Sequence, residues 1–153
     1  MIELSEKLLI NADVQKVWAF LTDVEKSLSF NRFHINIILP KQFSINNKSE
    51  FTIIHNFGFG DIEMTAKFVE CISLKRIVIS ENSTDEASKG FPHTITFEFF
   101  EEGKSTILLY SVTGTYGGRV QNISFTPILK GVIKEEIIKI KNAIESSEEV
   151  PEN

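Results

Sequence analysis

Apolar and polar residues alternate through the start of the chain. Ile2–Ile10 (IELSEKLLI) keeps this two-residue period as far as Leu8, which predicts a half-buried strand. Asn11-Ala12-Asp13 breaks the pattern, and from Val14 the spacing becomes helical, with Val14, Val17, Trp18 and Leu21 on one face. Asp13 stands where its carboxylate can accept from the free amides of the first turn. Thr22-Asp23 ends this helix, and a second short one is expected from Val24 to about Asn31. Six strands should follow, at 33–39, 50–57, 61–72, 75–82, 94–100 and 106–116. Their separators are polar or glycine-bearing: 41–48, Gly58-Phe59-Gly60, Ser73-Leu74, a surface loop at 83–92, and the hairpin turn Glu101-Glu102-Gly103-Lys104. Gly117-Gly118 opens a loop, and Thr126-Pro127 reads as a helix start, with Thr as cap and Pro at the first position, where its missing N–H costs nothing. That helix is expected to run to about Ser147 with an apolar stripe of Leu129, Val132, Ile133, Ile137, Ile140 and Ile144.

Strands joined by short turns pair antiparallel. A seven-stranded sheet with one apolar face needs a cover, and the only long amphipathic element is the C-terminal helix. One helix covers seven strands only if the sheet curls around it, and a cavity is expected where sheet and helix separate. The expected fold is α+β, in the order β-α-α-β6-α, over residues 1–148, with a short acidic tail at 149–153.

The 153 residues suit a single domain that needs no disulfide or metal to fold. Thirteen Phe against one Trp and two Tyr supply apolar area without polar handles, enough to line a cavity as well as fill a core. A net charge of -5 argues against a nucleic-acid partner. No apolar run approaches the length of a membrane span, and with no secretory signal and a lone Cys71 the expected location is cytoplasmic. No dinucleotide loop, zinc spacing, nucleophile elbow or phosphate loop occurs, so neither a metal nor a cofactor is expected and no catalytic constellation is recognisable.

The stretch from Leu8 to Asp23 (LLINADVQKVWAFLTD) resembles the opening of START-like, or SRPBCC, helix-grip proteins, where a first strand leads through small residues into a V-W-x-x-L-x-D helix. Val69-Glu70 through Lys75-Arg76-Ile77-Val78 resembles the central hairpin of that superfamily, and Gly103-Lys104-Ser105-Thr106 its late hairpin. The chain departs from it at Ile72-Ser73-Leu74, where a proline pair is common, and at Phe30 and Phe33, where a Trp is common. The resemblance implies a helix-grip fold that binds a small hydrophobic or amphipathic molecule, such as a lipid. Relatives of that shape also include polyketide cyclases and dehydrases, and Hsp90 activators of the Aha type that act as protein-interaction modules; fold alone does not choose among these.

Parity and periodicity nominate the residues that would line the cavity: Phe51, Ile53 and His55 on one strand, Phe97 and Phe99 on another, Leu108 and Tyr110 on the last, and Leu129 and Ile133 on the helix. His55 would be the proton-moving group and Tyr110 a polar anchor. Glu81 is expected at the cavity mouth and more readily solvated, His34 and His93 exposed at element ends, and Asp61, Glu63 and Lys67 on a solvated face. An exposed edge strand would allow a homodimer.

Overall fold

A computed structural model describes residues 1–84 and 91–147. The order is β1 (Ile2–Ile10), α1 (Val14–Thr22), α2 (Val24–Ser27) with a 3-10 turn at Leu28–Phe30, β2 (His34–Ile38), β3 (Glu50–Asn56), β4 (Asp61–Ile72), β5 (Arg76–Ser83), β6 (His93–Glu102), β7 (Ser105–Gly114) and α3 (Arg119–Ser146). The strands form one antiparallel sheet, β1-β7-β6-β5-β4-β3-β2. The sheet curls into a half-barrel around α3, the helix-grip arrangement expected from the hydrophobic pattern. The two short helices carry the chain from one sheet edge, β1, to the other, β2.

Local chemistry accounts for the elements. Asp13 Oδ1 accepts from Lys16 N at 2.9 Å, capping α1 as its position predicts. Strand alternation sets the inner face, with Phe51, Ile53 and His55 buried on β3, Met64, Ala66 and Phe68 on β4, and Ile95, Phe97 and Phe99 on β6. Leu129, Val132, Ile133, Ile137, Ile140 and Ile144 of α3 close the core against them. Asp61, Glu63 and Lys67 face solvent. Among the described residues, no helix is long and apolar enough to cross a membrane.

One boundary differs from expectation. α3 begins at Arg119, not at Thr126, and Pro127 lies inside it. Gly118 is its cap residue, and the Gln121 side-chain oxygen reaches back to Gly118 N at 3.1 Å. Gly117, at φ +67°, supplies the left-handed turn just before. Thr126 turns its hydroxyl back onto Asn122 O at 2.5 Å instead of capping forward. The Thr-Pro pair that reads as a helix start lies about two turns inside α3. Most of the loop predicted at 83–92, and the acidic tail at 149–153, lie outside the described residues.

Candidate functional site

All three histidines of the chain come together inside the grip. Register brings them there: His34 pairs with His55 across β2–β3, and Glu81 pairs with His93 across β5–β6. Glu81 is fully buried, with Oε1 3.1 Å from His55 Nε2 and Oε2 2.6 Å from His93 Nε2. Both contacts are at ion-pair distance, but the ring and carboxylate directions are off-line for full hydrogen bonds. The His34 and His55 rings lie edge-on, 4.6 Å between centroids.

Each imidazole turns its other nitrogen to a main-chain carbonyl. His34 Nδ1 lies 2.6 Å from Leu28 O, His55 Nδ1 3.3 Å from Ile53 O, and His93 Nδ1 2.5 Å from Phe91 O. A carbonyl only accepts, so Nδ1 is the protonated nitrogen in each ring and Nε2 is the one presented to the interior.

Beside this cluster, Asn31, His34, His55, His93, Tyr110, Leu129 and Ile133 line an internal cavity of about 10 Å³, with aromatic side chains closing the rest. That volume admits about one water. α3 also contributes Glu136, fully buried like Glu81. The Tyr110 hydroxyl and Asn31 are close enough to act on the Glu136 carboxyl, although neither carboxylate oxygen reaches full hydrogen-bond geometry.

The environment drives these groups apart. Burial pushes the Glu136 carboxyl up to about 8, with the charge of Glu81 adding to the effect and Tyr110 and Asn31 opposing it. Burial likewise pushes His34 down to about 4 against the attraction of Glu81. For Glu81, burial favours the neutral form but is outweighed by His93 and His55, so its carboxyl is held well below the usual range. Burial would lower His93, yet the charge of Glu81 and its close approach to the ring raise this imidazole. The Tyr110 phenol is raised well above its ordinary range, by burial first and then by Glu136. At neutral pH the site therefore holds an ionised Glu81, whose charge favours the protonated form of His93, with a neutral His34 and a neutral Glu136.

The nine residues nominated from sequence separate into two groups. His55, Tyr110, Leu129 and Ile133 line the internal cavity, while Phe51, Ile53, Phe97, Phe99 and Leu108 are buried in the surrounding core. Three expectations are corrected. Glu81 is enclosed, not solvated, because it shares strand parity with the inward Ile77 and Ile79. His93 is buried, not exposed, since β6 begins one residue earlier than the alternation suggested and His93 has the parity of Ile95 and Phe97. His34 is half-buried against His55 rather than exposed, because β3 covers it. Glu136 was missed altogether, although it falls on the apolar stripe of α3 between Ile133 and Ile137.

A second depression, of about 930 Å³, opens on the outside between α1, the 39–47 segment and the β4–β5 turn, with Trp18, Asp23, Phe43, Asn46 and Cys71 on its walls. It is broad and open to solvent, and no acid–base cluster converges there. The interior cluster is the site with chemistry.

No protein-family model matches the chain, and no curated protein matches it. Solved structures do. A conserved protein from Geobacillus kaustophilus superposes with a TM-score of 0.74 at 14% identity, over 94% of this chain and 95% of that one. The di-domain ARO/CYC StfQ from the steffimycin biosynthetic pathway gives 0.69 at 13% identity, over 94% of this chain and 50% of that one. DynU16, a putative protein of the dynemicin biosynthetic locus, gives 0.68 at 12% identity, over 95% and 48%. At these identities the likeness is one of fold. In architecture, then, the chain is a helix-grip α+β domain.

Proposed function

We propose that the protein binds a small amphipathic molecule between the concave sheet face and α3, with the polar end of the ligand against the Glu81–histidine–Tyr110 cluster. The observation that carries this is the concentration of buried, incompletely hydrogen-bonded polar groups in this part of the interior: His55 Nε2 and both carboxylate oxygens of Glu81 and Glu136. Buried polar atoms without full partners are costly, and a ligand that satisfies them recovers that cost as affinity.

The apolar part of the ligand has a place too. Phe33, Phe57, Phe91, Tyr116 and Phe125 pack ring on ring over the cluster, at centroid separations from 4.2 Å (Tyr116–Phe125) to 6.3 Å (Phe57–Phe91). Phe57 and Tyr116 are half-buried, so the aromatic cap reaches the surface there. An amphipathic ligand would part these rings and replace ring–ring contacts with its own.

The test is native mass spectrometry of the protein from its expression host, followed by extraction and identification of any bound compound. A stoichiometric amphipathic adduct, weakened in Tyr110→Phe, is the expected result. A clean mass, together with no thermal shift across a panel of amphipathic acids and alcohols, would overturn the reading.

A second reading is proton-transfer catalysis of the polyketide cyclase or dehydrase kind. It is favoured by the approach of His55 to Glu81 at 3.1 Å beside Tyr110, which puts a base, its partner and a hydroxyl donor around one spot. Turnover of a poly-β-ketone thioester that is lost in Tyr110→Phe but keeps its KM would support it; absence of any turnover would exclude it.

A further inference from the structure

We infer that His34, His55 and Glu81 form a binding site for a divalent first-row transition metal ion, with His93 as the partner that orients Glu81. One ligand atom from each of the first three residues lies within 4.8 Å of the others. A tetrahedral ion with bonds of roughly 2.0–2.1 Å sets its ligand atoms about 3.3 Å apart, and the His55 Nε2–Glu81 Oε1 separation is 3.1 Å. His55 and Glu81 already stand at that spacing, and closing the rest of the set takes a movement of up to about 1.5 Å in the wider separations.

The outer partners match those of a metal-binding histidine. Such a histidine donates its remote N–H to a carbonyl or carboxylate, which fixes the tautomer and the ring plane. Here Leu28 O holds His34 Nδ1 at 2.6 Å and Ile53 O holds His55 Nδ1 at 3.3 Å, which leaves Nε2 of each ring as its ligand atom, and His55 Nε2 stands 3.1 Å from Glu81 Oε1. An imidazole lone pair directed at a carboxylate oxygen is repulsive unless a proton or a cation lies between them. His93 meets the second Glu81 oxygen at 2.6 Å and can supply a proton there. The side of Glu81 shared by His34 and His55 has the geometry for a cation.

Two imidazoles and one carboxylate leave coordination positions open, the pattern of ions that take an exogenous ligand rather than a purely structural one. Those positions adjoin the cavity lined by Tyr110, Leu129 and Ile133. The donor set fits Zn²⁺, Co²⁺ or Fe²⁺ and not Ca²⁺ or Mg²⁺, which take oxygen ligands. Metal binding does not require an organic ligand, so this inference stands or falls separately from the proposed function.

The experiment uses the full chain treated with chelator and then titrated with Co²⁺ and with Zn²⁺. Co²⁺ should bind one per chain and give the visible absorption of a low-coordinate N/O site. Glu81→Gln and His34→Gln should each weaken Co²⁺ binding at least 100-fold with the far-ultraviolet spectrum retained, and Cys71→Ser should leave it unchanged. Because buried variants can fail to fold, the wild-type protein provides a second measurement. The chain has only three imidazoles, so long-range proton–nitrogen spectra resolve all of them. Zn²⁺ should move at least two Nε2 resonances to metal-bound values while Nδ1 stays protonated. No stoichiometric binding, no response from the imidazoles, or loss of binding in Cys71→Ser would overturn the inference.

Discussion

Replacing Glu136 by Gln should stabilise the protein, by an amount that grows with pH. Glu136 is fully buried on α3 and its carboxyl is pushed from an ordinary 4.5 up to about 8. Between those values the unfolded chain has released a proton that the folded chain still holds, so stability falls as pH rises through this window. At 1.36 kcal/mol per unit, the penalty is under about 1 kcal/mol at pH 5 and about 3 kcal/mol at pH 7. Gln keeps the shape and can still meet Tyr110 and Asn31, but it has no proton to lose. The other ionisable groups bearing on Glu136 are Glu81 of β5, His93 of β6 and Tyr110 of β7, and all three remain in the variant. Their contributions largely cancel in the difference between the two proteins. The assay is urea unfolding of chelator-treated wild-type and variant protein at half-unit steps from pH 5 to 8. The variant should gain roughly 2–3 kcal/mol relative to wild type between pH 5 and pH 7. Parallel stability curves would refute the reasoning, because they would mean that Glu136 reaches solvent or a compensating charge in the folded state.

Three further outcomes follow from packing. Gly114→Ala should destabilise by about 1–3 kcal/mol in the same unfolding assay: a Cβ there would lie 2.5 Å from Pro92 O and 2.7 Å from His93 Cβ, so the β6 segment that carries His93 would have to move. A loss below about 0.5 kcal/mol would show that this segment yields freely. Phe125→Ala should cost about 3–5 kcal/mol, since its ring packs against Phe33, Phe57, Phe91 and Tyr116; binding of an environment-sensitive dye should rise as the cap opens. Pro127→Ala should raise thermal stability, by up to about 3 kcal/mol, by restoring a hydrogen bond inside α3; an unchanged or lower melting temperature would show that α3 depends on the proline.

The one-dimensional pattern was enough to set the architecture. Strand β4 lies at Asp61–Ile72, where the alternation placed it, and Asp13 caps α1 because an acid before a helical run has few better uses. Helix-grip curvature followed from counting surfaces, since one amphipathic helix has to cover seven strands. Periodicity also carried more of the site than hydrophobicity suggested. Glu81 has the parity of Ile77 and Ile79, His93 that of Ile95, and Glu136 sits on the stripe between Ile133 and Ile137. Each was discounted or passed over because a charged residue is expected in water, and that expectation fails where such residues bury one another.

What the sequence by itself determined was the order of elements, the face each strand turns inward and the stripe by which α3 is gripped. Where α3 begins depended on contacts as well as sequence, since the Thr-Pro pair that reads as a helix start lies about two turns inside it. The site was decided by tertiary structure alone. His34, His55, Glu81, His93 and Glu136 come from five different elements, and only strand register and the closing of α3 over the sheet bring them together. Protonation depends on that enclosure too: a buried carboxyl held against two imidazoles is kept ionised, as in Glu81, and one for which burial dominates and the nearby Glu81 adds to it is kept neutral, as in Glu136, although the two side chains are the same.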